Sequence, residues 1–190
     1  MKEFRKISVI GLGLIASSIC LTLRQKDPTI KIVGYDKDIA VRNRAKKIGL
    51  CEVESNLDNA VSGSQLIVLC VPVGQMQAVT RRLKKFIEPG TTITDVGSVK
   101  LSVIEEIESN IESVGGKYVP SHPIAGTERS GPDAGYAGLF EGRWCILTPT
   151  RKTNKKALNN LETFWKFLGM QTKIMTPEHH DLVLAVTSHA

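Results

Sequence analysis

The sequence predicts an α/β fold, a doubly wound and mostly parallel sheet. Short apolar runs alternate with segments of helical period along nearly all 190 residues. One run, Gln65–Val71 (Gln-Leu-Ile-Val-Leu-Cys-Val), is apolar almost throughout, as expected of a strand covered on both faces of a parallel sheet. The first run passes into Gly-x-Gly-x-x-Ala, a tight turn from strand into helix.

Each element follows from local chemistry. Lys6–Ile10 is a buried strand closed by Gly11. Leu14–Gln25 carries Ile15, Ile19, Leu21 and Leu23 without proline and reads as a helix. Lys31–Tyr35 is a second strand, ending at Asp36, and Ile39–Ile48 a second helix stopped by Gly49. Pro72 ends the third strand, and Gln75–Phe86 is helical until Glu88-Pro-Gly breaks the chain. Thr91–Asp95 is a strand, Leu101–Glu112 a helix, and Lys117–Val119 leads into a loop at Ser121–Glu128. Arg143–Leu147 is a strand, Thr153–Leu168 a helix closed by Gly169, and Gln171–Met175 a last strand. Glycines at 126, 131, 135, 138 and 142 mark a long loop that suits an active site or an inert excursion. Pro177–Ala190 reads as a new helix, with Leu182, Ala185, Val186 and His189 at helical spacing. It has no terminal cap, so the chain is expected to be cut short there, with residues 1–176 as one domain.

Bulk composition narrows the function classes. Apolar content is 42% and aromatic content 5%, so the core is expected to be mostly Val, Ile and Leu. No apolar run approaches the ~20 residues of a membrane helix, and no signal-peptide core follows Met1, so the cytoplasm is the expected location. The four cysteines form no CxxC pair, and unpaired thiols without a metal are expected. The 25 basic and 19 acidic residues give a net charge of +6, a lysine-rich surface that mildly attracts anionic ligands. A nucleic-acid site needs a basic stripe with interleaved aromatics. Arg81-Arg82-Leu-Lys84-Lys85 is too short for that, so a small molecule is the expected partner.

The turn at Gly11-Leu-Gly-Leu-Ile-Ala has the chemistry of a dinucleotide site. Gly11 permits the tight turn, Gly13 lets the backbone approach a pyrophosphate, and Leu14 and Ile15 open the helix whose N-terminus holds it. Asp36 follows 23 residues after Gly13 at a strand end. A carboxylate there suits the two hydroxyls of an adenosine ribose and repels a 2′-phosphate, which favours NAD over NADP. Lys37 and Arg42 are the nearby cations that could soften that preference. Val71 and Pro72 end a strand at the carboxyl edge, either packing along the cofactor or simply terminating the strand.

Catalytic candidates sit on the same edge. In Asp95-Val-Gly-Ser-Val-Lys, Gly97 and Ser98 follow a strand, and Ser98 either faces the nicotinamide end or, like Ser102, caps the next helix. His122, in Ser-His-Pro-Ile-Ala-Gly-Thr-Glu, suits proton removal from an alcohol as hydride leaves the same carbon.

Gly11-Leu-Gly-Leu-Ile, Asp95-Val-Gly-Ser-Val-Lys, Ser121-His-Pro-Ile-Ala-Gly-Thr-Glu-Arg-Ser-Gly and His180-Asp-Leu-Val…Ser188-His together resemble the prephenate/arogenate dehydrogenase family of tyrosine biosynthesis. The resemblance implies a Rossmann-like domain and NAD-dependent oxidative decarboxylation of prephenate to 4-hydroxyphenylpyruvate. The histidine matching His122 polarises the ring hydroxyl, and the serine matching Ser98 orients the pair. Glu128 maps to the substrate entrance, Thr127, Ser130 and Gly131 to the same pocket, and His189 to a histidine near the site. His180 and Asp181 match a motif at the start of the next domain. The family usually has glycines where Ala16 and Ser17 stand. It continues into an all-helical domain that forms the homodimer and supplies an arginine for a substrate carboxylate. On this reading 177–190 is the first helix of that domain, and this chain alone binds NAD but turns over prephenate poorly. Arogenate oxidation, another hydroxy-acid dehydrogenase and a non-catalytic nucleotide-binding module are the alternatives.

Overall fold

A computed structural model describes residues 3–187. Six parallel strands form the main sheet: β1 (Lys6–Ile10), β2 (Lys31–Tyr35), β3 (Glu52–Val53), β4 (Leu66–Leu69), β5 (Thr92–Asp95) and β6 (Lys117–Tyr118). Their order is β3-β2-β1-β4-β5-β6. The order reverses between β1 and β4, and this switch point is where open α/β sheets bind ligands beyond their strand ends. Helices α1 (Leu14–Lys26), α2 (Ile39–Lys47), α3 (Leu57–Val61), α4 (Val73–Leu83) and α5 (Leu101–Glu112) connect the strands.

Alternation along the strands explains the double covering. On β4, Leu66 and Val68 join one apolar cluster with Ile7, Val9, Ile19 and Leu23. Ile67 and Leu69 point the other way, into a second cluster with Ile93, Leu83, Val103 and Ile107. All four β4 residues are buried, which is why the run lacks the polar alternation of a half-exposed strand. Ser8 is the buried polar residue of β1, and its hydroxyl pairs with Ala60 O and Ser64 Oγ, each at 2.5 Å.

The predicted Rossmann-like sheet is present, with additions. β3, α3 and a 3₁₀ turn at Pro132–Ala134 were not predicted, being too short to show a period. The predicted single sheet is joined by a second one: β7 (Ser121–Pro123), β8 (Trp144–Leu147) and β9 (Gln171–Ile174), in that order. β7 runs antiparallel to β8, with His122 opposite Ile146, so the expected histidine loop begins as a strand. Pro123 hides it in the sequence, since proline donates no ladder bond. Helix α6 (Lys155–Phe167) packs Phe164 and Trp165 into the first cluster. Helix α7 (Pro177–Thr187) begins where the sequence predicts a new helix and lies against α5. Among the described residues, no helix is long and apolar enough to cross a membrane.

Candidate active site

A cleft of about 590 Å³ opens over the carboxyl ends of β1, β2 and β4. Gly11, Gly13, Asp36, Val71 and Pro72 are brought together on its lining. Gly11 has φ +93°, and a Cβ there would sit 2.7 Å from Cys70 O, so both conformation and space demand glycine. Gly13 is the N-cap of α1, and a Cβ on it would meet nothing within 4 Å. Its bare backbone leaves the helix N-terminus open to the cleft, the arrangement a pyrophosphate requires. Leu14 and Ile15 contribute the first turn of α1 while their partly buried side chains pack on the core.

Asp36 is held in a fixed pose. Oδ2 accepts the Leu12 amide at 2.8 Å and Oδ1 the Asp38 amide at 2.9 Å. Arg42 is turned away from any role as a cleft cation: its guanidinium donates to the carbonyls of Asp36 (2.6 Å) and Lys37 (3.1 Å) and lies over the Tyr35 ring. Cys70 is on the wall, and burial, with Asp95 nearby, pushes its thiol well above the ordinary range. The thiolate is therefore suppressed, which removes Cys70 as a nucleophile.

The glycine-rich segment is anchored rather than idle. Gly131, expected in a substrate pocket, lines the dinucleotide cleft. Asp133 pairs with Arg44 on α2, and Gly135 packs onto α1 so closely that a Cβ would lie 2.3 Å from Ser17 Cβ.

Beyond β5 the chain builds a buried polar cluster. Asp95 accepts the Lys100 ammonium, the Tyr118 hydroxyl at 2.8 Å and the Gly97 amide at 2.9 Å. Lys100 also donates to Ser121 O at 2.8 Å, and Ser121 Oγ donates to Asp95 O at 2.8 Å. These bonds fix the residue before His122 to the end of the main sheet. His122 is 8% exposed. Burial, with His180 and the Lys100 ammonium close by, holds its imidazole down to about 4 from an ordinary 6.5, so the ring is neutral at pH 7.

His122 has partners that residue-by-residue reading missed. Its Nδ1 lies 2.9 Å from Nε2 of His180, and His180 Nδ1 lies 2.7 Å from Asp181 Oδ1. Asp181 in turn accepts the amides of Lys100 (2.8 Å) and Leu101 (3.0 Å). Burial raises the Asp181 carboxyl, but the bonds from Leu101, His180 and Lys100 outweigh it and hold the group below the usual range. Neither Ser98 nor Ser102 caps α5, contrary to one expectation: Lys100 is the N-cap residue, and the side chain satisfying the helix's free amides is Asp181. Ser98 is exposed, and Gly97 is buried against Asp95 and Met76. Thr127, Glu128 and Ser130 are exposed on the segment after β7, and His189 lies outside the described residues. Among the described residues no cluster of three or more His, Cys, Asp or Glu side chains could hold a metal ion.

Comparison with known proteins agrees with this geometry. Residues 19–174 match the family described as prephenate dehydrogenase, nucleotide-binding domain. Over 190 residues the chain is 40% identical to cyclohexadienyl dehydrogenase of Zymomonas mobilis, covering all of this chain and 64% of that protein. It is 34% identical to prephenate dehydrogenase of Bacillus subtilis, covering 96% of this chain and 50% of that protein. The structure of Aquifex aeolicus prephenate dehydrogenase with hydroxyphenyl propionate and NAD+ superposes with a TM-score of 0.90 at 31% identity, covering 97% of this chain and 64% of that one. Synechocystis arogenate dehydrogenase gives 0.88 at 29%, with 97% and 64% covered. The chain thus spans between half and 64% of these relatives' lengths. On the family match, the chain belongs to the prephenate dehydrogenase family, as its nucleotide-binding domain.

Proposed function

We propose that this chain is the NAD-binding and catalytic-histidine part of a prephenate dehydrogenase. The observation that carries the reading is a neutral, buried His122 whose neighbour Ser121 is tied to the end of β5, on the same carboxyl edge of the sheet as the cleft that suits a dinucleotide. NAD, when bound, supplies the hydride acceptor. The α1 N-terminus and the bare Gly13 backbone hold the pyrophosphate, Asp36 takes the ribose hydroxyls, and Gly11, Val71 and Pro72 shape the walls, while Gly97 is buried behind them against Asp95 and Met76. The Asp36 carboxylate and the engaged Arg42 favour NAD over NADP.

His122 accepts the hydrogen bond of the substrate's ring hydroxyl and takes its proton as the carbon is oxidised. Being neutral at pH 7, it has the lone pair this needs. Ser98 assists at the nicotinamide end, and Thr127, Glu128, Ser130 and Gly131 border the substrate, with His189 nearby. Residues 1–176 form the binding domain, and α7 begins a helical region that completes the substrate pocket and a homodimer. A cytoplasmic location belongs to the same reading.

Prephenate is favoured over arogenate because the names of the relatives at 34% and 31% identity specify prephenate dehydrogenase. Steady-state kinetics with both substrates and both nicotinamide cofactors test this, on the chain and on one carried through the helical region. The expected result is highest kcat/KM for prephenate with NAD; equal or better turnover of arogenate overturns the choice of substrate.

A further inference from the structure

The geometry points to His180 and Asp181 as positioning residues that lock His122 in the tautomer with its proton on Nδ1, presenting a bare Nε2 lone pair to the substrate. The inference rests on the reading of His122 as the hydroxyl acceptor. It follows from the order of donors and acceptors along a single line of bonds.

Asp181, a carboxylate held by two backbone amides, can only accept. His180 Nδ1, 2.7 Å away, must therefore carry a proton. In a neutral ring this leaves Nε2 of His180 as an acceptor. The atom facing it at 2.9 Å is His122 Nδ1, which must then be the donor. A neutral His122 with its proton on Nδ1 has only Nε2 left, and Nε2 is unprotonated. The opposite tautomer would direct an N–H at the hydroxyl and could not take its proton.

Rigidity supports the assignment. His180 is 0% exposed, so its ring is held by packing as well as by bonds. Asp181 spans α7 and the start of α5, so the line of bonds is anchored on two helices. A carboxylate that orients one imidazole through another is a longer version of the carboxylate–histidine pairing that fixes tautomers elsewhere.

The sequence holds four histidines, so nitrogen-15 NMR of histidine-labelled chain at pH 7 can assign each ring with a few variants. The expected spectrum shows His122 protonated on Nδ1 and bare on Nε2. His180→Leu, which keeps the bulk and removes the acceptor, is expected to move His122 toward the Nε2-protonated form. His180→Gln, whose amide oxygen can accept, is expected to restore Nδ1 protonation. The wild-type measurement needs no variant to fold: His122 protonated on Nε2, or His180 as an imidazolium, overturns the inference. So does an unchanged His122 tautomer in a folded His180→Leu chain, or failure of a folded His180→Gln chain to restore it. If the tautomers are as expected but His122→Asn leaves hydride transfer intact, the proposed function fails and the positioning role stands. If His122→Asn abolishes transfer but the tautomer is reversed, only the positioning role fails.

Discussion

Lys100 and Asp95 form an ion pair with both side chains at 0% exposure, directly behind the catalytic-site candidate His122. Asp95 also holds the Tyr118 hydroxyl and the Gly97 amide, while Lys100 holds Ser121 O. Removing one partner leaves an uncompensated buried charge. Lys100→Met is therefore expected to cost about 3–5 kcal/mol in urea denaturation, and Asp95→Asn added to it to recover part of that loss. A Lys100→Met loss under about 1 kcal/mol would show that the pair is not a structural strut.

Asp36 is expected to set cofactor choice. Its carboxylate meets the cleft, and the neighbouring Arg42 is occupied by two backbone carbonyls. Asp36→Ser removes the carboxylate proposed to accept the ribose hydroxyls and to repel a 2′-phosphate. Fluorescence titration is expected to give NAD binding about tenfold or more weaker, consistent with loss of a charge-assisted hydrogen bond, and a narrowed gap to NADP. Unchanged discrimination would place the specificity elsewhere.

Gly135 is needed for contact rather than for conformation. Its φ is −69°, open to any residue, yet a Cβ would lie 2.3 Å from Ser17 Cβ and 2.8 Å from Ser17 C and Ser18 N. Gly135→Ala is expected to destabilise by about 1–3 kcal/mol through overpacking. Adding Ser17→Gly should rescue little, because the backbone atoms remain; full rescue in thermal melts would mean that the side chain alone sets the contact.

The main sheet was legible because its strands are buried on both faces and its connections are amphipathic, as β4 and α5 illustrate. The dinucleotide cleft was legible because glycines and an acid recur at fixed offsets from strand ends. The His122 environment was not. Asp95 and Lys100 stand five positions apart and Tyr118 follows 23 positions after Asp95, but three polar residues carry no sign in the sequence that the fold buries them together. His180 resembled an ordinary helical histidine, since its partner stands 58 positions away. The signal available was the His180-Asp181 pair at the start of a new helix, which needed α5 beside it to acquire a purpose. The second sheet was hidden for a similar reason: β7 spans three residues and ends in proline.

His122 also makes stability depend on pH. Its folded value near 4 lies below the ordinary 6.5, so the unfolded chain binds this proton first as pH falls. This contribution is fully present above about pH 6.5, is lost progressively between 6.5 and 4, and flattens below. Its size is about 3 kcal/mol. Denaturation from pH 7 to 4.5 is expected to be less pH-dependent in His122→Asn; parallel profiles would mean that His122 is not held neutral by the fold.

His122 is the proposed acceptor of the hydroxyl proton, and its removal is the sharpest test. The direct measurement is NADH formation from prephenate and NAD by the chain extended through the proposed helical region, compared with His122→Asn, alongside NAD affinity of both. The expected result is a fall of about 10²–10⁴-fold in kcat with NAD affinity unchanged. Turnover by His122→Asn within a few-fold of the parent would contradict the account.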